Sequence, residues 1–262
     1  MTASEEPVLG GRRPALEAVR AGRALEVIVA EGIRETQALR DLREACREAN
    51  VPVRERARAV LDRMAPAHHG VVVRVRVAAE LGERELATWP FGNDDVVVVL
   101  DGIVDPHNLG AAARSAEAAG AAMLITRVRR AASPSAAAVR ASAGALLHLS
   151  HARVANIPRA LARLQAAGFF VVGLDERSGT SVYDEPCPSG RIAVVVGSEA
   201  EGLSRLTRLA CDALVSLPMR GRVGSLNASA ALAAVLYAYV LPSRRYTRSA
   251  GRRSSVGRAS DL

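Results

Sequence analysis

Three short segments of the chain place polar side chains and glycines where a buried strand gives way to a helix. The first, Asp101–Ser115 (DGIVDPHNLGAAARS), follows the apolar run Val96–Leu100. Asn108 is read as the cap of the helix it precedes, Gly110 as a point of close approach, and Arg114 as projecting from the second turn. The second, residues 194–204 (VVVGSEAEGLS), is again strand, glycine-bearing turn and helix. Small residues at such a turn let backbone N–H groups meet a ligand directly, with Gly197 and Gly202 bracketing Glu199. The third, residues 217–229 (LPMRGRVGSLNAS), combines Leu217, two arginines, Ser225, Leu226 and Asn227 ahead of an Ala-rich helix. Ser225 is its expected N-cap, which leaves Asn227 in the first helical turn without a structural task. The chain has only five Asn, and two of them, Asn108 and Asn227, fall in these loops. Taken singly, each loop also reads as an ordinary capped turn. The glycines do not form the G-x-G-x-x-G phosphate loop.

Together the segments resemble, in order and spacing, the three signature motifs of the SpoU (TrmH-type) branch of the SPOUT RNA methyltransferases: NLGAAAR, VVGSEAEGL, and LPM followed by SLNAS. Upstream, GGRRPALEAVRAG and HHGVVVRV look like the small substrate-binding domain of the RlmB-like members, which modify a guanosine of 23S rRNA. The resemblance implies transfer of a methyl group from S-adenosylmethionine to a ribose 2'-hydroxyl of RNA. It implies an α/β-knot catalytic domain, a trefoil-knotted parallel sheet with helices on both faces. Before it stands a small α/β substrate-binding domain of the L30e/L7Ae-like type. It also implies a homodimer with sites near the subunit interface. Gly197, Leu217 and Leu226 match cofactor-contacting positions. Arg114 matches the catalytic arginine, and Asn108, Glu199, Ser225 and Asn227 match positions that shape the site. An arginine keeps its proton far above neutral pH, so stabilising a forming alkoxide suits Arg114 better than general-base work. Other readings share these motifs: a tRNA guanosine 2'-O-methyltransferase, an rRNA adenosine 2'-O-methyltransferase conferring antibiotic resistance, or a non-catalytic RNA-binding protein that keeps the fold.

The elements needed to hold these loops are legible as periodicity. Helix and strand signals alternate over residues 14–77: helices at 14–21, 36–49 and 57–64, and strands at 25–30, 51–55 and 70–77, the last with Arg74 and Arg76 outward. Residues 79–94 are charged, contain Pro90 and Gly92, and read as a linker or ordered connector. From residue 95 a second α/β unit begins, with strands at 96–100, 121–126, 147–154, 169–174, 192–196 and 213–217. Helices are expected at 108–119, 135–143, 157–167, 202–210 and 225–241. Continuous apolar strands alternating with helices predict a mostly parallel sheet covered on both faces. The expected division is therefore 1–78, substrate domain; 79–94, linker; 95–242, catalytic domain; and 243–262, a disordered Arg-rich tail.

Composition limits the alternatives. All 35 cations among the Lys and Arg are Arg, giving a net charge of +8. Residues 1–94 hold 15 Arg and 15 acids, however, and the last twenty hold six Arg against Asp261. Much of the excess thus sits on the tail, and charge alone does not identify a nucleic-acid face. Cys46, Cys187 and Cys211 are scattered and odd in number, matching neither a disulfide framework nor a zinc spacing. No metal, no membrane span, no secretory leader and a cytoplasmic location are expected. His107 is read as a loop residue, and His68 and His69 as structural or RNA-contacting.

Overall fold

The computed structural model describes residues 6–77, 80–184, 186–222 and 224–243. The expected Arg-rich tail beyond residue 243 lies outside them.

Chain order begins with β1 (Val8–Gly10), α1 (Arg12–Arg20), β2 (Ala24–Ala30), α2 (Gln37–Glu48), β3 (Val53–Arg56), α3 (Arg58–Met64) and β4 (Val71–Val75). These build a mixed four-stranded sheet in the order β1-β4-β2-β3. Helix α2 starts where Thr36 accepts the amide of Leu39, and its Leu39, Leu42 and Cys46 are buried at helical spacing. His68 is structural: its Nε2 lies 2.8 Å from Asp62 and its Nδ1 accepts the amide of Gly70.

Next come β5 (Glu80–Leu81), α4 (Glu83–Ala87), β6 (Val96–Asp101), α5 (Pro106–Ala118), β7 (Met123–Arg127), α6 (Ala136–Ala141) and α7 (Ala145–His148). They are followed by β8 (Ser150–Val154), α8 (Ile157–Ala166), β9 (Phe170–Leu174), β10 (Ile192–Gly197), α9 (Arg205–Leu209), β11 (Ala213–Val215) and α10 (Ala228–Val235). The seven strands pair in the order β11-β9-β10-β6-β7-β8-β5, and every pairing is parallel. Alternate residues of the central strands feed opposite cores. Val96, Val98, Leu100, Val194 and Val196 join one apolar cluster, and Val97, Val99, Ala193 and Val195 the other. From β6 the chain steps outward through β7 and β8, then reappears on the far side at β9 and β10. The order therefore reverses between β6 and β10, the place where open α/β sheets gather ligands beyond their strand ends.

Several elements depart from the sequence reading. The stretch read as a linker or ordered connector is the ordered one: it carries β5 and α4 and is bound to the second sheet. Glu83 pairs with Arg163 at 3.1 Å, and the Arg191 guanidinium donates to the carbonyls of Phe91, Gly92 and Ala167. The expected strand 147–154 is a short helix, α7, followed by β8. Helix α9 starts at Arg205 behind an N-cap, Ser204. The last helix starts at Ala228 rather than Ser225, and beyond Val235 it widens into a π turn over Leu236–Val240.

The two sheets share a core. Leu9, Ala15, Val19 and Val73 belong to the same apolar cluster as Val139, Leu146 and Leu147, and Arg23 Nε donates to the Leu147 carbonyl at 3.0 Å. Gly110 fixes the approach of α5 to α6, because a β-carbon there would stand 2.5 Å from the Ala138 carbonyl oxygen.

Buried His151 in β8 shares a 2.8 Å hydrogen bond with Thr126, and its pKa is lowered to about 4, chiefly by burial and secondarily by Arg153. A base whose folded pKa lies below its free value of 6.5 stays neutral in the fold, while the unfolded chain takes up the proton. Stability is complete above about pH 6.5 and is lost as pH falls toward 4. The full loss is on the order of 3 kcal/mol. Urea titrations between pH 7.5 and 4.5 should show this slope in the parent and a shallower one in His151→Gln; parallel slopes would refute the assignment.

Candidate active site

The first loop begins where β6 ends. Asp105 accepts the amide of His107, and Pro106 occupies the first helical turn, so Asp105 rather than Asn108 caps α5. That shift corrects the sequence reading and explains Asn108, whose amide is free to leave the helix. His107 is exposed and lends the cap only its backbone.

The second loop is a tight turn. Ser198 and Gly202 exchange both backbone hydrogen bonds, at 3.1 and 2.9 Å, and Gly202 adopts a left-handed φ of +67°. Glu199 lies exposed at its tip. Gly197 permits the fold-back, since a β-carbon there would sit 2.0 Å from the Gly202 carbonyl carbon. Buried Asp101, which pairs in register with Gly197, accepts the amide of Ser204 at 3.1 Å and so anchors the far end of the turn.

The third loop ends at Asn227, and here the sequence reading is corrected again. Asn227, not Ser225, is the N-cap of α10: its Oδ1 accepts from Ser229 N, Ser229 Oγ and Ala230 N. Its Nδ2 donates to Asn108 Oδ1 at 2.9 Å and to Glu199 Oε1. Asn108 Nδ2 in turn donates to the same Glu199 oxygen at 3.0 Å. Three residues separated by 91, 119 and 28 positions thus close a triangle that joins all three loops. Both amide hydrogens of Asn227 are used. Asn108 retains one, and Glu199 retains its second oxygen.

Beside the triangle opens a cleft of about 760 Å³, solvent space included. Gly197, Glu199, Leu217, Ser225 and Leu226 all line it. Asp175, Glu176, Arg177, Arg208 and Met219 line it as well and were not singled out from the sequence. Asp175 directly follows β9, so the strand-end rule applied to that strand pointed to it. Buried Asp175 pairs with Arg208 Nε at 2.8 Å and takes the amide of Arg177, making it a wall of the cleft. Arg114 is placed apart: it is exposed, does not line the cleft, and forms no hydrogen bond or ion pair with any described residue. Among the described residues, no group of three or more His, Cys, Asp or Glu is placed to hold a metal ion, and no helix is long and apolar enough to cross a membrane.

Residues 95–237 match the SpoU rRNA methylase family, and residues 8–80 match the RNA 2'-O ribose methyltransferase substrate-binding family. A 23S rRNA (guanosine-2'-O-)-methyltransferase, RlmB, of Photobacterium profundum is 36% identical over 82% of this chain and 88% of its own length. An uncharacterized tRNA/rRNA methyltransferase of Mycobacterium marinum is 40% identical over 90% of this chain and 76% of its own. Among solved structures, the SpoU methyltransferase AviRb from Streptomyces viridochromogenes, in complex with AdoMet, superposes with a TM-score of 0.74 at 30% identity. That match covers 89% of this chain and 88% of AviRb. With its parallel sheet, its N-terminal substrate-binding domain and its three loops brought to one cleft, the chain belongs to the SpoU rRNA methylase family.

Proposed function

We propose that this chain transfers the methyl group of S-adenosylmethionine to a ribose 2'-hydroxyl of RNA, with a guanosine of 23S rRNA as its target and the cytoplasm as its place of work. The observation that carries this reading is the Asn108–Glu199–Asn227 triangle at the lip of a cleft at the sheet's switch point. It sits in a chain whose relatives include 23S rRNA guanosine-2'-O-methyltransferases and an AdoMet-bound SpoU enzyme.

The cleft suits the cofactor. Leu174, Leu217, Met219 and Leu226 offer apolar surface, and Gly197 lets the 198–202 turn fold back tightly to form one wall. Glu199, Glu201 and Glu176 supply negative charge beside a molecule that carries a sulfonium and an ammonium, while Asp175 is matched by Arg208 and Arg177 adds one cation to the lining. When bound, S-adenosylmethionine supplies an activated methyl and a neutral thioether leaving group. The chain must hold the ribose against it and favour the departing proton. The hydrogen left on Asn108 and the second oxygen of Glu199 are the polar groups available to the ribose, while Asn227 is spent on holding the loops. The 2'-hydroxyl proton passes to water or to the adjacent phosphate, and Arg114 offsets the charge forming on the oxygen.

Arg114 reaches that oxygen from a second copy. It lies six residues beyond Asn108 on α5, which at 3.6 residues per turn puts the two side chains about 120° apart. One helix does not aim both at one point, and the exposed Arg114 side chain has no hydrogen-bond or ion-pair partner among the described residues. A twofold dimer with α5 near its interface supplies it. We also propose that residues 194–241 form the trefoil knot. In support, β11 lies at one sheet edge beside β9, yet the chain returns to pack α10 on α5 and β10.

Four outcomes test this. Gly197→Ala should displace the 198–202 turn and weaken S-adenosylhomocysteine binding at least tenfold in titration calorimetry, whereas parent affinity would place the pocket elsewhere. Arg114→Ala should leave that binding intact but cut single-turnover methylation of a 23S rRNA fragment by about 10²–10³. Arg114→Lys should regain only part of the loss. Mixing unfolded and refolded Arg114→Ala and Asn227→Ala chains should restore about a quarter of the parent's sites, because half the dimers are mixed and each has one intact site. No restoration would assign Arg114 to its own chain.

A further inference from the structure

We propose that the loop leaving β7, with Arg129 and Arg130 at its tip, is a phosphate seat for the RNA strand on the side of the reaction centre opposite the cofactor cleft. This rests on the RNA-methylating reading above and deepens it, since it places a second RNA contact on the catalytic unit itself, apart from the N-terminal substrate domain.

Sheet order carries the argument. The cleft occupies the strand ends and loops on the β10, β9 and β11 side, where Gly197, Leu174 and Leu217 line it. On the other side of β6 stands β7, and its last residue, Arg127, reaches Asp101 with Nε 3.7 Å from Oδ1. Asp101 is itself the register partner of Gly197. Gly197, Asp101 and Arg127 thus form one row across three adjacent strand ends. Neighbouring strands lie about 4.8 Å apart, so the β7 loop begins roughly 10 Å from Gly197. A strand whose ribose is held at Asn108 and Glu199 has its neighbouring phosphates at that range.

Charge and rigidity follow. Residues 127–132 (RVRRAA) hold three arginines and no acid. Arg127 is partly matched by Asp101, but Arg129 and Arg130 are exposed and form no hydrogen bond or ion pair with any described residue. Their backbone is held at both ends. Val128 donates to the Val154 carbonyl and Ala132 to that of Ile103, both at 2.9 Å or less, and Arg153 donates to the Val128 carbonyl at 2.8 Å. The bond to Ile103 pins the loop to the same segment that leads into α5 and Asn108. Arg130 is kept at φ +54°, a conformation L side chains seldom adopt. Because the loop backbone is already fixed, only the two side chains remain to be ordered when a phosphate arrives, and each offers it a forked set of donors. The neighbouring Val104 and Val128, 65% and 48% exposed, give an apolar shelf on which an unstacked base can rest.

The test uses the full chain and an in vitro transcribed 23S rRNA fragment. In the double variant Arg129→Ala/Arg130→Ala, both sites being exposed, the melting temperature and S-adenosylhomocysteine affinity should match the parent. RNA affinity should fall about tenfold or more, and the log–log dependence of binding on salt should flatten by about one to two units, as expected for losing two phosphate contacts. The KM for RNA should rise while kcat at saturating RNA stays near the parent value. Unchanged RNA affinity and salt slope would overturn the seat. A change in oligomeric state at equal concentration would also overturn it, making the loop a contact between copies. A parent chain that binds the fragment without methylating it defeats the enzymatic reading alone, and the salt slopes still decide the seat. A parent that binds no RNA overturns both.

Discussion

The site depends on one carboxylate oxygen. Glu199 Oε1 receives the side-chain amides of both Asn108 and Asn227, and so ties together loops that follow three different strands. Such bonds on a solvent-facing rim contribute about 1 kcal/mol each. They therefore do little for the stability of a domain whose strands are buried on both faces, and their effect is geometric. With Asn227 fully bonded, the N-terminal end of α10, the turn at Glu199 and the first turn of α5 have one arrangement relative to each other. In the proposed reaction, a cofactor in the cleft and a ribose at its lip then meet at a fixed distance.

Each corner of that triangle has its own support, and each support is a local rule of the chain. Asp105 and Pro106 start α5 two residues before Asn108 and release it. Gly197 lets two backbone segments come closer than a β-carbon allows, Gly202 takes the left-handed φ the turn needs, and the turn then closes on itself with paired hydrogen bonds. Asp101, buried at the end of β6, holds the amide that follows this turn. Asn227 divides its side chain: the oxygen caps α10 and the nitrogen binds the other corners. A residue committed in this way has no side-chain hydrogen left for a ligand, so in the proposed reaction it serves by position.

How much of this was legible in the sequence follows from the range of the forces involved. The apolar runs Val96–Leu100 and Ile192–Val196 show their burial directly, and the helical face of α2 shows its own. Helix starts were less readable, because Asp105-Pro106 and Asn108 are both good opening signals, as are Ser225 and Asn227, and only the tertiary bonds of the asparagines decide between them. Residues 79–94 read as a linker because β5 and α4 are too short to display a period. Their hold on the sheet comes from distant partners such as Arg163 and Arg191. The motif residues that meet in the cleft, Gly197, Glu199, Leu217, Ser225 and Leu226, were visible as a resemblance. Asp175 was marked only by its place at the end of β9, since a lone acid after a strand carries no motif of its own. The placement of Arg114 away from the cleft escaped, because a linear motif does not tell where on the folded surface a side chain stands.

The continuity of the core between the two units bears on how binding is used. Leu9 and Val19 share an apolar cluster with Leu146 and Leu147, and Arg23 bonds the Leu147 carbonyl, so α6 and α7 are packed between the N-terminal sheet and α5. Gly110 then lets α6 sit directly on the helix that carries Asn108. On the proposed reading, an RNA held by the substrate-binding domain is consequently held in a frame fixed to the Asn108–Glu199–Asn227 triangle, unlike one captured by a domain on a flexible tether. Binding energy gained far from the reacting ribose can then be expressed as orientation at the 2'-oxygen, raising the rate of transfer as well as occupancy. A chemistry whose leaving group is supplied by the cofactor has little else to ask of its protein.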